Sequence, residues 1–189
     1  MLNTKTMSVL KRISKQAPET RPVLKNYKID DGMLYMTDGH RMVWTPTVIK
    51  DGLYTIEGEN VTETAGNYPD VVRLIPTDNK TAIKVNDVKT LLEFVKAFVK
   101  LHGIKRSDKN PDNILILNLS GNIVKITGRL QCGVVNMSYY NPFYLIDVLE
   151  FISANIDDNT ATIKYNGSNR PLVIETTNGT GALLMPVRK

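Results

Sequence analysis

Six turn-forming dipeptides are strung along this chain: Asp31-Gly32, Asp38-Gly39, Asp51-Gly52, Ser120-Gly121, Asn166-Gly167 and Asn178-Gly179, each flanked by short stretches rich in Val, Ile, Leu, Tyr and Thr. Such pairs accept positive φ and fold one strand back on the next. A chain that reverses so often builds antiparallel sheet. Strand length and composition recur at 114–119, 123–127, 133–139, 161–165, 172–175 and 182–187.

Only three segments carry a helical period. Over about 4–16, Val9, Leu10 and Ile13 make an apolar stripe, with Lys5, Ser8, Arg12 and Lys15 on another face. In the second, Asn86 or Asp87 caps a helix whose stripe is Val88, Leu91, Leu92, Val95, Phe98 and Val99 and which stops at Gly103; Lys89, Glu93, Lys96 and Lys100 lie opposite. The third opens with Asn141 as N-cap and Pro142 at the first helical position. It buries Tyr144, Leu145, Val148, Leu149 and Ile152 and leaves Asp147 and Glu150 as its polar positions. From residue 77 onward the order is strand, helix, strands, helix, strands, a weak internal duplication.

A chain of 189 residues has room for one large domain or two small ones. No apolar run approaches the roughly 20 residues that span a bilayer, and the N-terminus lacks a signal-peptide-like hydrophobic stretch, so a soluble, cytoplasmic protein is expected. The lone Cys132 excludes an intramolecular disulfide and suits a reducing compartment. It has no basic partner in sequence and reads as structural. The net charge of +5, from 24 basic and 19 acidic residues, permits polyanion binding without requiring it.

Catalytic chemistry has no positive support. Thr37, Asp38 and His40 are neighbours, but residues around a glycine turn need not face one another, and no nucleophile motif accompanies them. There is no glycine-rich phosphate loop and no carboxylate pair at metal-site spacing. Neither catalytic residues, a metal nor any other cofactor is expected. A small hydrolase using His40 and Asp38 is the least supported reading.

Three separated segments carry more information: Thr37-Asp38-Gly39-His40-Arg41-Met42, then Tyr68-Pro69-Asp70-Val71-Val72-Arg73-Leu74-Ile75-Pro76, and Leu183-Leu184-Met185-Pro186-Val187-Arg188-Lys189. In this order they resemble the bacterial sliding clamp, the β subunit of DNA polymerase III. The resemblance implies an α+β DNA-clamp fold, with antiparallel sheets, helices packed on one face and repeated strand-helix-strands units. Residues 77–189 resemble a complete C-terminal clamp domain, with the segment Asn141 to Leu149 similar to its second helix. Residues 1–76 resemble the first half of the preceding domain plus its connector, with Arg21-Pro22-Val23-Leu24 opening the first strand. Only 23 residues separate Trp44 from Tyr68, where the family has a further helix and strands, so the chain reads as a truncated clamp of phage or mobile-element type.

The resemblance also implies a peptide-binding groove. Leu24, Thr37, Gly39, His40, Arg41 and Met42 would form one wall, Pro69, Arg73 and Leu74 the connector side, and Tyr144, Leu183, Met185, Pro186, Val187 and Arg188 the rest. Met42 and Met185 suit a surface that repacks around several apolar side chains. Arg41, Arg73 or Arg188 would meet acidic or carbonyl groups of the peptide. Lys5, Arg12, Lys15, Lys89, Lys96 and Lys100 would face double-stranded DNA through phosphates, without reading sequence. The implied partners are DNA, a replicative polymerase, other proteins with clamp-binding motifs and a clamp loader. Closing a ring would take a homo-oligomer, a trimer or a tetramer. The alternative is an adaptor or competitor that binds clamp-binding peptides without encircling DNA.

Overall fold

The computed structural model describes residues 2–61, 67–78, 81–106, 115–120, 123–127, 138–165, 167 and 170–187. Within them lie strands β1 (Tyr27–Asp30), β2 (Met33–Thr37), β3 (Arg41–Pro46), β4 (Gly52–Tyr54), β5 (Thr81–Val85), β6 (Leu115–Ser120), β7 (Ile123–Thr127), β8 (Ser138–Tyr140), β9 (Ala161–Tyr165), β10 (Leu172–Glu175) and β11 (Gly181–Leu184). The helices are α1 (Thr4–Gln16), α2 (Val88–Leu101) and α3 (Pro142–Ala154). Eight strands form one sheet in the order β4-β1-β2-β3-β11-β10-β9-β5, and three form a second, β7-β6-β8. Every pairing is antiparallel.

Strands from the two parts of the chain meet at β3 and β11, where Met42 opposes Leu183 and Trp44 opposes Gly181. The sheet is therefore continuous across residue 76. Turn chemistry accounts for its hairpins. Asp31 and Gly32 both take positive φ, 50° and 69°, between β1 and β2. Two consecutive positive φ values match the strands' right-handed twist. Asn178 orders the β10–β11 turn by accepting from the Thr180 amide at 3.1 Å. Asp51-Gly52 behaves differently: Gly52 already belongs to β4, and the Asp51 carboxylate accepts from the Asp31 and Gly32 amides at 3.1 and 3.3 Å. It braces a neighbouring turn instead of making one.

The first strand also begins later than the sequence suggests. Pro22–Lys25 is a short 3-10 helix, because the fixed φ of Pro22 suits a helical start and Val23 and Leu24 bury against Ala17. The strand expected at 182–187 stops at Leu184, and the one expected at 133–139 falls largely outside the described residues, as do Cys132 and the Gly121 and Asn166 halves of two turns.

All three helices begin at side-chain caps. Asn3 accepts from Thr6, Asp87 from Thr90, and Asn141 from Phe143 and Tyr144, with Pro142 following as expected. Helix α3 packs between α1 and α2 and also against β3 and β11. Enclosure on three sides explains why it buries Ile146, Asp147 and Phe151 in addition to Leu145, Val148, Leu149 and Ile152. The main core lies between these helices and the eight-stranded sheet, and includes Val9, Leu34, Met36, Val43, Val95, Leu149, Ile174 and Leu184. Alternation along β2, β3 and β11 sends Tyr35, Met42, Trp44 and Leu183 to the opposite face, where Val71, Tyr68 and Ile75 of the connector cover them.

Candidate functional site

The residues expected from the sequence to form a peptide groove divide between the two faces of the sheet. On the connector face, Met42 and Leu183 are buried beside Val71 and packed by Tyr68. Leu24, on the short helix before β1, also packs against Tyr68. One tyrosine thus links apolar residues from three parts of the sequence. Burial raises its phenol pKa, and its hydroxyl donates to the Tyr35 carbonyl at 3.5 Å. The connector carries Pro69, Arg73 and Leu74 outward, and Leu74 is 55% exposed. Arg73 pairs with Asp70 at 2.7 Å while remaining largely in solvent.

At the β2–β3 turn, Gly39 adopts φ of 88°, a conformation that favours glycine. Asp38 accepts from the His40 and Arg41 amides at 2.9 and 3.0 Å, and the Thr37 hydroxyl donates to the Arg41 carbonyl at 2.8 Å. The His40 carbonyl accepts from the Met185 amide at 2.8 Å, tying the chain leaving β11 to this turn. The His40 ring stacks on Tyr144 with centroids 5.8 Å apart. Met185 and Val187 are exposed apolar residues, Pro186 is partly buried, and Arg188 lies outside the described residues. Asp38 is turned inward, so it and His40 do not form an acid–base pair.

Arg41 corrects an expectation. Its parity with Val43 and Thr45 turns the side chain towards the helices, where it is fully buried, 3.1 Å from Asp38 and paired with Asp147. Its Cζ lies 4.4 Å from the Tyr144 ring centroid, and its Nη2 has no hydrogen-bond partner among the described residues. Fully buried and paired, its guanidinium is not open to an external ligand. Asp147 also binds Arg12 Nε at 2.6 Å and is gripped by both Arg106 nitrogens at 2.7 and 3.0 Å. Burial pushes the Asp147 carboxyl pKa up, but hydrogen bonds from Arg106 and the charges of Arg41, Arg106 and Arg12 outweigh it and hold the group below its usual value.

This cluster is not evident in the sequence, where Asp147 stands only as a polar position of the third helix. The available signal is Asp147, a carboxylate set between Ile146 and Val148 inside the apolar run from Pro142 to Leu149.

The cationic residues meet on the helix layer. Lys5 and Arg12 of α1, Lys89 and Lys96 of α2, and Glu150 of α3 line a cleft of about 550 Å³, together with Glu93, Ser8 and Leu92. Lys15 and Lys100 are exposed but are not part of that lining. Arg12 pairs with Glu150 as well as Asp147, and Lys96 reaches both Glu93 and Glu150 at 3.1 Å. Only part of the expected positive charge therefore faces the cleft unpaired. Among the described residues, no group of three or more His, Cys, Asp or Glu is placed to hold a metal ion, and no helix is long and apolar enough to cross a membrane.

An antiparallel sheet running through two chain segments, with a helix layer on one face, defines the chain as an α+β protein of the DNA-clamp type. More particularly, it resembles part of the bacterial DNA polymerase III β sliding clamp. The Bacillus subtilis β sliding clamp is 30% identical over a 135-residue alignment that covers 65% of this chain and 34% of that protein. A solved sliding clamp from Bacillus subtilis superposes with a TM-score of 0.64 at 23% identity, covering 97% of this chain and 63% of that one. The Borrelia burgdorferi β subunit, solved with a natural product, gives 0.66 at 20% identity over 100% of this chain and 64% of the other. A Pseudomonas aeruginosa clamp bound to griselimycin gives 0.65 at 17% identity, with coverage of 97% and 64%. No protein-family model matches. The chain thus spans about a third of the curated relative in sequence and just under two thirds of the solved clamps in structure.

Proposed function

We propose that this chain is a reduced sliding clamp, a non-enzymatic processivity factor that surrounds duplex DNA and tethers a replicative polymerase and other partners through a peptide groove. What supports the reading most is the clamp fold with Met42, Tyr68 and Leu183, one residue from each diagnostic segment, packed in one apolar cluster. In this reading residues 1–76 are a shortened clamp domain with its connector, and residues 77–189 a complete one.

The groove lies along the connector side of β3 and β11, near the exposed Leu74, Met185 and Val187 and the His40–Tyr144 stack. Extended peptides use such surfaces by placing a few apolar side chains in pockets while polar groups set direction. The helix cleft supplies sequence-independent phosphate contacts from Lys5, Lys89 and neighbouring cations. A ring requires several copies, and a clamp loader would open it.

The test is topological. Protein loaded on nicked circular DNA should remain bound and should be lost after linearisation; equal retention on both forms rejects encirclement. The partial coverage of clamp length motivates a second reading, an adaptor that captures clamp-binding peptides without a ring. A monomer in light scattering that binds such peptides but no DNA supports the adaptor instead.

A further inference from the structure

The cleft assigned to DNA is lined by carboxylates of its own, Glu93 and Glu150. Glu150 projects from the middle helix, with one oxygen on Arg12 of α1 and the other 3.1 Å from Lys96 of α2. A single side chain thus clasps cations from both flanking helices. Lys5 and Lys89, which line the same cleft, make no ion pair among the described residues. Carboxylate and phosphate are recognised by the same charged donors, so a phosphate that enters between Arg12 and Lys96 must displace Glu150.

We propose that Glu150 is an internal counter-ion that occupies a phosphate position and limits the grip of this face on polyanions; the inference rests on the DNA-facing reading of the cleft. Affinity for DNA grows with the number of phosphates whose counter-ions are released, and a cation already neutralised by the protein contributes little to that release. Glu150 is the carboxylate the two cations share; Arg12 also pairs with Asp147 and Lys96 with Glu93, so neutralising Glu150 weakens the masking of both without freeing either completely. The residual field comes from Lys5 and Lys89, enough to hold a duplex nearby but not to fix it at one register. A weak hold is what motion along DNA requires.

The experiment compares wild type, Glu150→Gln, Glu150→Asp and Glu57→Gln, all checked for unchanged melting. Glu57 is exposed beyond β4, so its substitution makes the same change in net charge away from the cleft. Binding to a short linear duplex is titrated over a range of salt, and elution from immobilised heparin is measured in parallel. Glu150→Gln should bind duplex several-fold more tightly at low salt, with a salt slope steeper by about 1, and should elute from heparin later than Glu57→Gln. Glu150→Asp keeps the charge but has a shorter arm, and should show a smaller gain in the same direction. If Glu150→Gln behaves like Glu57→Gln or like wild type on both polyanions, the proposal is overturned. If no variant binds duplex, the DNA reading fails, and the heparin series still decides whether Glu150 masks the cleft.

Discussion

Three guanidiniums converge on Asp147 from α1, β3 and the segment after α2, and one carboxylate of α3 therefore ties together four separate parts of the chain. Removing one partner of a buried ion pair leaves uncompensated charge and typically costs about 3 to 5 kcal/mol. Asp147→Asn should therefore destabilise by about 3 kcal/mol, read as a lower midpoint in urea unfolding. The pH dependence follows from the direction of the shift. A carboxyl whose folded pKa is depressed stabilises the fold above its unfolded pKa and loses that contribution as pH falls through the folded value. Wild type should thus lose stability below about pH 4, and Asp147→Asn should lose less over the same interval. Gly181 offers a steric counterpart: an added Cβ would lie 2.3 Å from Trp44 Cζ2 and 2.9 Å from the Ile174 carbonyl oxygen. Gly181→Ala must displace a buried indole or separate β11 from its neighbours. A cost of about 1 to 3 kcal/mol is expected in thermal or urea unfolding.

At the scale of elements, local rules carried the helices almost completely. The Asn141 and Pro142 start signal matched, as did the Asp87 cap and the extent of α1, because these depend on groups only a few residues apart. Asn141→Ala should remove the acceptor for the Phe143 and Tyr144 amides and lower stability by about 1 kcal/mol, measurable by calorimetry. Period alone did not reveal that α3 would be enclosed. Its burial depends on α1 and α2 packing against opposite sides, a tertiary fact that makes Asp147 an internal charge instead of a surface one. The burial of Arg41 is hidden in the sequence for a related reason. Its place in a motif was visible, but which face of β3 it occupies depends on register with β11, and that register pairs residues more than a hundred positions apart. Arg106 was hidden likewise, since nothing local marks a loop cation as the partner of a buried carboxylate. The apolar cluster around Met42 was legible through the three-segment resemblance, whereas its dependence on Tyr68 required the fold.

For the whole molecule, the division of the groove residues between buried and exposed positions decides which substitutions can test it. Met42 is almost completely buried, so Met42→Ala would report mainly the loss of core packing, typically about 2 to 5 kcal/mol. Leu74 and Met185 are exposed and can be shortened with little effect on the core. If the groove captures clamp-binding peptides, a Leu74→Ala/Met185→Ala variant should keep the wild-type melting temperature while losing roughly tenfold or more in peptide affinity by fluorescence anisotropy. Unchanged affinity would move the groove elsewhere. Assembly then separates a clamp from an adaptor. The eight-stranded sheet ends at β4, whose outer edge is partly taken by the Tyr54–Asn60 bridge and the Val61 amide bound to the Leu53 carbonyl, and at β5, whose outer edge has no strand partner among the described residues; a closed ring removes such an edge by pairing or covering it. A clamp built from this chain should therefore be a trimer or tetramer in light scattering, and dilution to monomer should abolish retention on circular DNA while leaving peptide binding intact. Retention that survives in the monomer would count against a ring assembled from several copies.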